Sequence, residues 1–153
     1  MANTYTQLHI HFVFAVKYRK QIIMNSWKDE LYKYITGIVQ NNKHKLIIIN
    51  GMPDHIHILV GLRPDQSISD LMKDVKQFSS KWINNCKFFD GKFEWQGGYG
   101  AFCYSKSHLK NVIKYIENQE KHHNKKSFIK EYKEMLEKNE VEFKEEYIFK
   151  ELI

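Results

Sequence analysis

Cysteine and proline are scarce in this chain, with two of each among 153 residues. Cys86 and Cys103 form no CxxC pair, which excludes a disulfide framework and points to free thiols in a reducing compartment. Pro/Gly/Ser-rich linkers, low-complexity tracts and internal repeats are missing as well. One domain over 1–153 is therefore expected, with a core over about 6–126 and a last helix and tail over 127–153. Long apolar runs are also missing: Leu46-Ile47-Ile48-Ile49 falls far short of the ~20 residues that a membrane helix needs. Met1-Ala2-Asn3-Thr4 lacks the basic and apolar regions of a secretory signal, so a cytoplasmic protein is expected, with no membrane partner. No GxxxxGK[ST] motif occurs, and no nucleotide cofactor is expected.

What is there describes a globular, basic protein. Hydrophobic residues make up 42% and aromatics 14%, enough to form a core. The net charge of +6 is unevenly spread: 128–153 carries five Lys against eight Glu, so 1–127 holds a balance of +9. A basic body with an acidic end suits a polyanion such as nucleic acid, although solubility alone explains the same excess.

Periodicity sets the order of elements. Leu8 to Val16 alternates, with Leu8, Ile10, Phe12, Phe14 and Val16 on one side, and predicts a strand. Ser26 is a candidate cap for a helix striped by Trp27, Leu31, Ile35, Ile38 and Val39. Lys45–Asn50 and His55–Gly61 read as two strands of a hairpin around Gly51-Met52-Pro53-Asp54. Ser67 and Asp70 open a helix carrying Ile68, Leu71, Val75, Phe78 and Trp82. Phe93 to Tyr104 reads as a fourth, bulged strand. Ser105 or Ser107 then caps a helix with Leu109, Val112, Ile113 and Ile116, and a last helix follows Ser127 with Phe128, Tyr132, Met135 and Leu136 inward. The order β-α-β-β-α-β predicts an α+β, ferredoxin-like or RRM-like antiparallel sheet with helices on one face and extra C-terminal helices. The other face would stay available for a ligand or a second subunit.

Two local patterns carry chemistry. In Asp54-His55-Ile56-His57, strand alternation puts both imidazoles on one face while Ile56, Ile58 and Val60 point into the core. Such a pair can share one divalent cation, although His-x-His on a half-exposed strand is often nothing more than two solvated histidines. His9-Ile10-His11 has the same spacing, and alternation cannot choose between the pairs; His9 and His11 are read as structural. In Lys114-Tyr115-Ile116-Glu117-Asn118-Gln119, Tyr115 and Gln119 share a helix face. A tyrosine there can act as a nucleophile if a metal polarises the phosphate under attack, and Gln119 could complete the metal's shell beside the histidines. That shell leaves room for water and a phosphate oxygen, as Mg²⁺ or Mn²⁺ prefers. A core-edge tyrosine with a solvated glutamine would read the same.

Together, a Pro-Asp-His-Ile-His strand and, about sixty residues on, a helical Tyr-Ile-Glu-Asn-Gln resemble the TnpA-type single-tyrosine transposases. These are insertion-sequence-encoded members of the His-hydrophobe-His (HUH) endonuclease superfamily. Lys17-Tyr18-Arg19-Lys20, Trp95 to Phe102 and Gln119-Glu120-Lys121-His122-His123 agree, and the resemblance runs from about Thr6 to about Tyr147. It implies His55 and His57 as metal ligands, Gln119 as the third, and Tyr115 as nucleophile. The implied reaction is cleavage and rejoining of single-stranded DNA through a 5′-phosphotyrosine, on imperfect hairpins at the element's ends. It also implies a homodimer whose sites pair the histidines of one subunit with the tyrosine helix of the other. Arg63, Lys73, Lys76, Lys81, Lys106 and Lys110 are candidate phosphate contacts, and Tyr99 or Tyr104 candidate stacking platforms. The rival expectation is a non-catalytic RRM-like nucleic-acid binder. It would want an aromatic RNP-type strand, to which Gly98-Tyr99-Gly100-Ala101-Phe102 is the nearest approach.

Overall fold

The computed structural model describes residues 3–123 and 126–144. Strands β1 (His9–Ala15), β2 (Lys45–Met52), β3 (His55–Gly61) and β4 (Gly100–Cys103) form one sheet in the order β2-β3-β1-β4. Every neighbouring pair is antiparallel. Helices α1 (Lys28–Asn41) and α2 (Ile68–Cys86) provide the two crossovers of the split β-α-β plan. The helices α3 (Leu109–Glu117), α4 (Gln119–His123) and α5 (Phe128–Lys138) follow β4.

Alternation along β1 sends Ile10, Phe12, Phe14 and Val16 to one face, where Ile56, Ile58 and Val60 of β3 join them. Leu31, Ile35 and Val39 of α1 and Leu71, Val75 and Ile83 of α2 close that core. The opposite face is covered as well. Leu59 packs with Val112 and Ile116 of α3, while Val13, Ala15 and Phe102 pack with Phe128, Met135 and Leu136 of α5. At roughly 1.5–3 kcal/mol per large apolar side chain buried, these three anchors hold α5 on the sheet. The face expected to stay open is thus roofed by the C-terminal helices, and its polar residues are sealed beneath them.

Local departures from expectation have local causes. Ser67 caps α2 as predicted, its Oγ accepting the Asp70 N–H at 3.1 Å. Ser26 does not cap α1: the residue before the helix is Trp27, whose buried indole stacks on Phe88 at 4.7 Å and fixes the start by packing. Phe78 is 44% exposed, and the inward position is Ser79 instead. A serine is tolerated there because its Oγ receives the Trp95 indole N–H at 2.9 Å. That same Trp95 helps to explain the short β4. Phe93 and Trp95 drop into the core on a single bridge to Val16, so regular pairing begins only at Gly100. Ser105 and Ser107 bond each other and His108, not the α3 backbone.

The β2–β3 hairpin is tight where it delivers His55. A Cβ on Gly51 would overlap the His55 carbonyl oxygen and come within 3.0 Å of Ile56 Cα. Backbone cannot yield as a flexible side chain can. Gly51→Ala is therefore expected to cost about 1–3 kcal/mol and lower the melting temperature by several degrees. An unchanged melting curve would show that the hairpin has slack.

Candidate active site

On the roofed face, His55 and His57 are both fully buried. Their cross-strand partners on β1 are Ala15 and Val13, small enough to leave room above the imidazoles. On β2, Asn50 pairs with His57, and its Nδ2 donates to the Ile116 carbonyl at 2.8 Å and to Glu117 at 3.2 Å. Those are C-terminal carbonyls of α3 that have no partner within the helix. Asn50 thus pins the end of α3 over the histidines. Tyr115 lies one turn back, its ring 5.9 Å from that of His57. The helix breaks at Asn118, so Gln119 opens α4 instead of extending α3. It is nevertheless fully buried, with Oε1 3.1 Å from His55 Nε2.

The residue that completes the cluster is Glu131 of α5, which sequence reasoning missed. Phe128 stacks on the His55 ring at 4.2 Å, and one turn later Glu131, 1% exposed, enters the same space. Its Oε1 is 3.2 Å from His57 Nε2 and 3.4 Å from His55 Nε2. Its Oε2 accepts from Gln119 Nε2 at 3.2 Å and from the Tyr115 hydroxyl. The signal was available: Glu131 sits between Phe128 and Met135 on the inward stripe of its helix, where an acid needs a reason.

These donors fit a divalent cation. Atoms of His55, His57 and Glu131 all lie within 4.8 Å of one another, with separations of 3.2 and 3.4 Å from the carboxylate to the two imidazoles. Ligands that share an ion at about 2.1 Å stand roughly 3.0–3.4 Å apart, depending on geometry. Gln119 Oε1, 3.1 Å from His55 Nε2, is a fourth donor at the same spacing.

Electrostatics reflect the crowding. Burial pushes the His55 imidazole down, but hydrogen bonds to Asp54 and Glu131 prevail and raise it to about 9. Burial first, and then the Glu131 carboxylate, hold the Tyr115 phenol well above its ordinary value. His11 is not peripheral. Its Nε2 meets His57 Nδ1 at 2.8 Å, and burial, then His57, drive its imidazole well below the usual value against Glu131. The two His-x-His pairs are therefore coupled through one contact.

Residues 4–119 match the family described as IS200-like transposases. The chain belongs to that family. It is 30% identical over 119 residues to the ISDra2 transposase TnpA of Deinococcus radiodurans, spanning 74% of this chain and 84% of that one. With the transposase for insertion sequence element IS200 of Salmonella typhimurium it shares 27% over 125 residues, 78% of this chain and 81% of the other. Among solved structures, a Deinococcus radiodurans protein described as a transposase superposes with TM-score 0.63 at 27% identity, covering 78% of this chain and 95% of its own. A REP-associated tyrosine transposase bound to a REP hairpin superposes with TM-score 0.60 at 14% identity, covering 80% and 73%; at that identity it shows the fold alone. The family match ends at Gln119, so Glu131 and α5 lie beyond it.

The transposase distributes its candidate DNA contacts unevenly. Lys106 and Lys110 are exposed at the start of the tyrosine helix. Nearby, a cavity of about 410 Å³ is lined by Tyr115, Tyr104, His108, Lys126 and Lys138 among others. Lys73 and Lys81 are exposed on α2, which packs on the opposite face of the sheet from the histidines. Lys76 is engaged: it donates to the carbonyls of Gln96, at 2.8 Å, and Gly98, and burial lowers its ammonium to about 8. Arg63 pairs with Asp65 at 2.9 Å. Tyr104 lines the cavity, whereas Tyr99 packs on Phe12 in the α1/α2 core. Among the described residues, no helix is long and apolar enough to cross a membrane.

Proposed function

We propose that this transposase cuts and rejoins single-stranded DNA at insertion-sequence ends by metal-assisted transesterification, with Tyr115 as nucleophile. One observation carries the reading: the Tyr115 hydroxyl donates to the same buried Glu131 carboxylate that rests against His55 and His57. A divalent cation, Mg²⁺ or Mn²⁺, held by His55, His57, Glu131 and Gln119, would polarise the phosphate under attack.

The chain's own residues supply the rest. Glu131 splits its two oxygens between tasks, Oε1 toward the imidazoles and Oε2 toward the phenol. Because the free phenol is held protonated, it needs a base at the moment of attack, and Oε2 is already its acceptor. As the Tyr115 Oη–P bond forms, the P–O3′ bond breaks. Glu131 takes the phenolic proton, and the departing 3′-oxygen is protonated from Glu131 or water. A later 3′-OH attacks the phosphotyrosine, replacing one P–O bond with another, so no nucleotide hydrolysis is required. Hairpin DNA is the proposed substrate. The bound hairpin of the structural neighbour supports this, as does the +9 balance of 1–127. Lys106 and Lys110 are its proposed phosphate contacts, lying on the tyrosine side of the sheet.

The test is an SDS-stable protein–DNA adduct on labelled oligonucleotides carrying hairpins from the element's ends. It should form with Mn²⁺ or Mg²⁺, and neither with EDTA nor on plain duplex. Cleavage that releases free ends without any adduct would replace the tyrosine with water as nucleophile.

Within one chain the site closes in cis. The homodimer with tyrosine in trans would keep the same contacts by exchanging everything after Ser105 between two copies, and the short Ser105–His108 turn is the kind of hinge that permits it. Co-expressed His57→Ala and Tyr115→Phe chains should then regain one working site, with the adduct on the His57→Ala chain. No recovery in a verified heterodimer would leave the cis site as the working one.

A further inference from the structure

His11 is 1% exposed, its Nε2 meets His57 Nδ1 at 2.8 Å, and its own Nδ1 is buried with no hydrogen-bond partner among the described residues. An orphaned buried polar atom costs about 1–3 kcal/mol, and an apolar ring of similar size would avoid that cost. Packing alone therefore does not account for a histidine among Leu59, Phe102 and Tyr104.

We propose that His11 is a positioning residue for His57, holding it in the tautomer that turns the Nε2 lone pair to the cation; this rests on the metal reading above. A neutral imidazole carries one proton, so the nitrogen that binds metal must be the bare one and the other must be N–H. His57 turns Nε2 to the cluster, 3.2 Å from Glu131, and with a cation on that nitrogen its proton would sit on Nδ1. That proton needs an acceptor, and His11 Nε2 is at hydrogen-bond distance. His55 shows the same construction with a different partner: its Nε2 faces the cluster while its Nδ1 lies 2.6 Å from the Asp54 carboxylate. Each ligand ring is thus held from behind, one by an acid and one by a second imidazole. The first His-x-His motif supplies, through its second member, the support for the other.

The test is Mn²⁺ binding by calorimetry on the full, DNA-free chain, with thermal unfolding in EDTA measured alongside. His11→Phe removes the orphaned Nδ1 but also takes the His11 acceptor from buried His57 Nδ1, so the two effects on stability offset. The melting temperature in EDTA should stay near that of the wild type while Mn²⁺ binds some 10–100-fold more weakly. His11→Gln, long enough to present an oxygen to His57 Nδ1–H, should regain most of the affinity, and the shorter His11→Asn should not. A merely structural role would show the reverse, with lower melting temperature and unchanged affinity. If His11→Phe fails to fold, the Gln–Asn pair decides, and equal affinities there overturn the proposal. A wild-type chain that binds no Mn²⁺ removes the metal reading itself, whereas wild-type binding matched by every folded variant removes only the role of His11.

Discussion

Replacing Tyr115 with phenylalanine is expected to eliminate the covalent DNA adduct while leaving a folded, DNA-binding protein. The substitution deletes one oxygen and keeps the ring that packs with the Leu59, Val112 and Ile116 cluster. Glu131 loses one hydrogen-bond partner but retains Gln119 and the two histidines, so the cost is one hydrogen bond, about 1–3 kcal/mol. The chemical loss is far larger. Among the described residues the Tyr115 hydroxyl is the oxygen nucleophile on that carboxylate, so adduct yield should fall by at least about 10⁴-fold. Gel retardation on hairpin oligonucleotides, with SDS-resistant labelling on the same samples, separates the two effects. Loss of both together would mean that the hydroxyl serves the fold.

Removal of a histidine should act through the metal. His57→Ala takes one donor from the cluster and removes one of the partners of the buried Glu131 carboxylate. Lewis-acid stabilisation of a phosphate in transfer is worth several kcal/mol, and each 1.36 kcal/mol is a factor of ten, so cleavage should fall by about 10²–10⁴-fold. EDTA on the wild-type chain should produce a comparable loss, reversed by excess Mn²⁺. His9→Ala is the control, since His9 makes none of the contacts of the cluster and should leave metal dependence unchanged. Wild-type cleavage by a folded His57→Ala chain would place the cation elsewhere.

The sheet was legible in the sequence because alternation is a strong signal where one face is fully apolar, as in β1 and β3. His55–Gly61 emerged with the bounds that were read. The Phe93–Tyr104 strand shrank to Gly100–Cys103 because aromatic residues there serve the core and not the ladder. Phe78 misled for a related reason: residue type suggested an inward position, and helix geometry gave it to Ser79. At the site, His55 and His57 were visible as a local pair, and Tyr115 and Gln119 as another. That they meet over β3 depends on Asn50 holding the end of α3, a contact between residues 66 apart that no local pattern displays. Glu131 stayed hidden because it sits in a Glu-rich helix, where bulk charge masks the one acid that points inward. His11 was visible but set aside, because period-two spacing marks a face without saying which residue lies across from it.

The most direct measurement is peptide mapping of the adduct formed on a hairpin oligonucleotide with Mn²⁺. After nuclease trimming and proteolysis, mass spectrometry should find the nucleotide remnant on the peptide containing Tyr115, linked through a 5′-phosphate. A remnant on another tyrosine, or cleaved DNA with a free 5′-phosphate and no modified peptide, would contradict Tyr115 as the nucleophile.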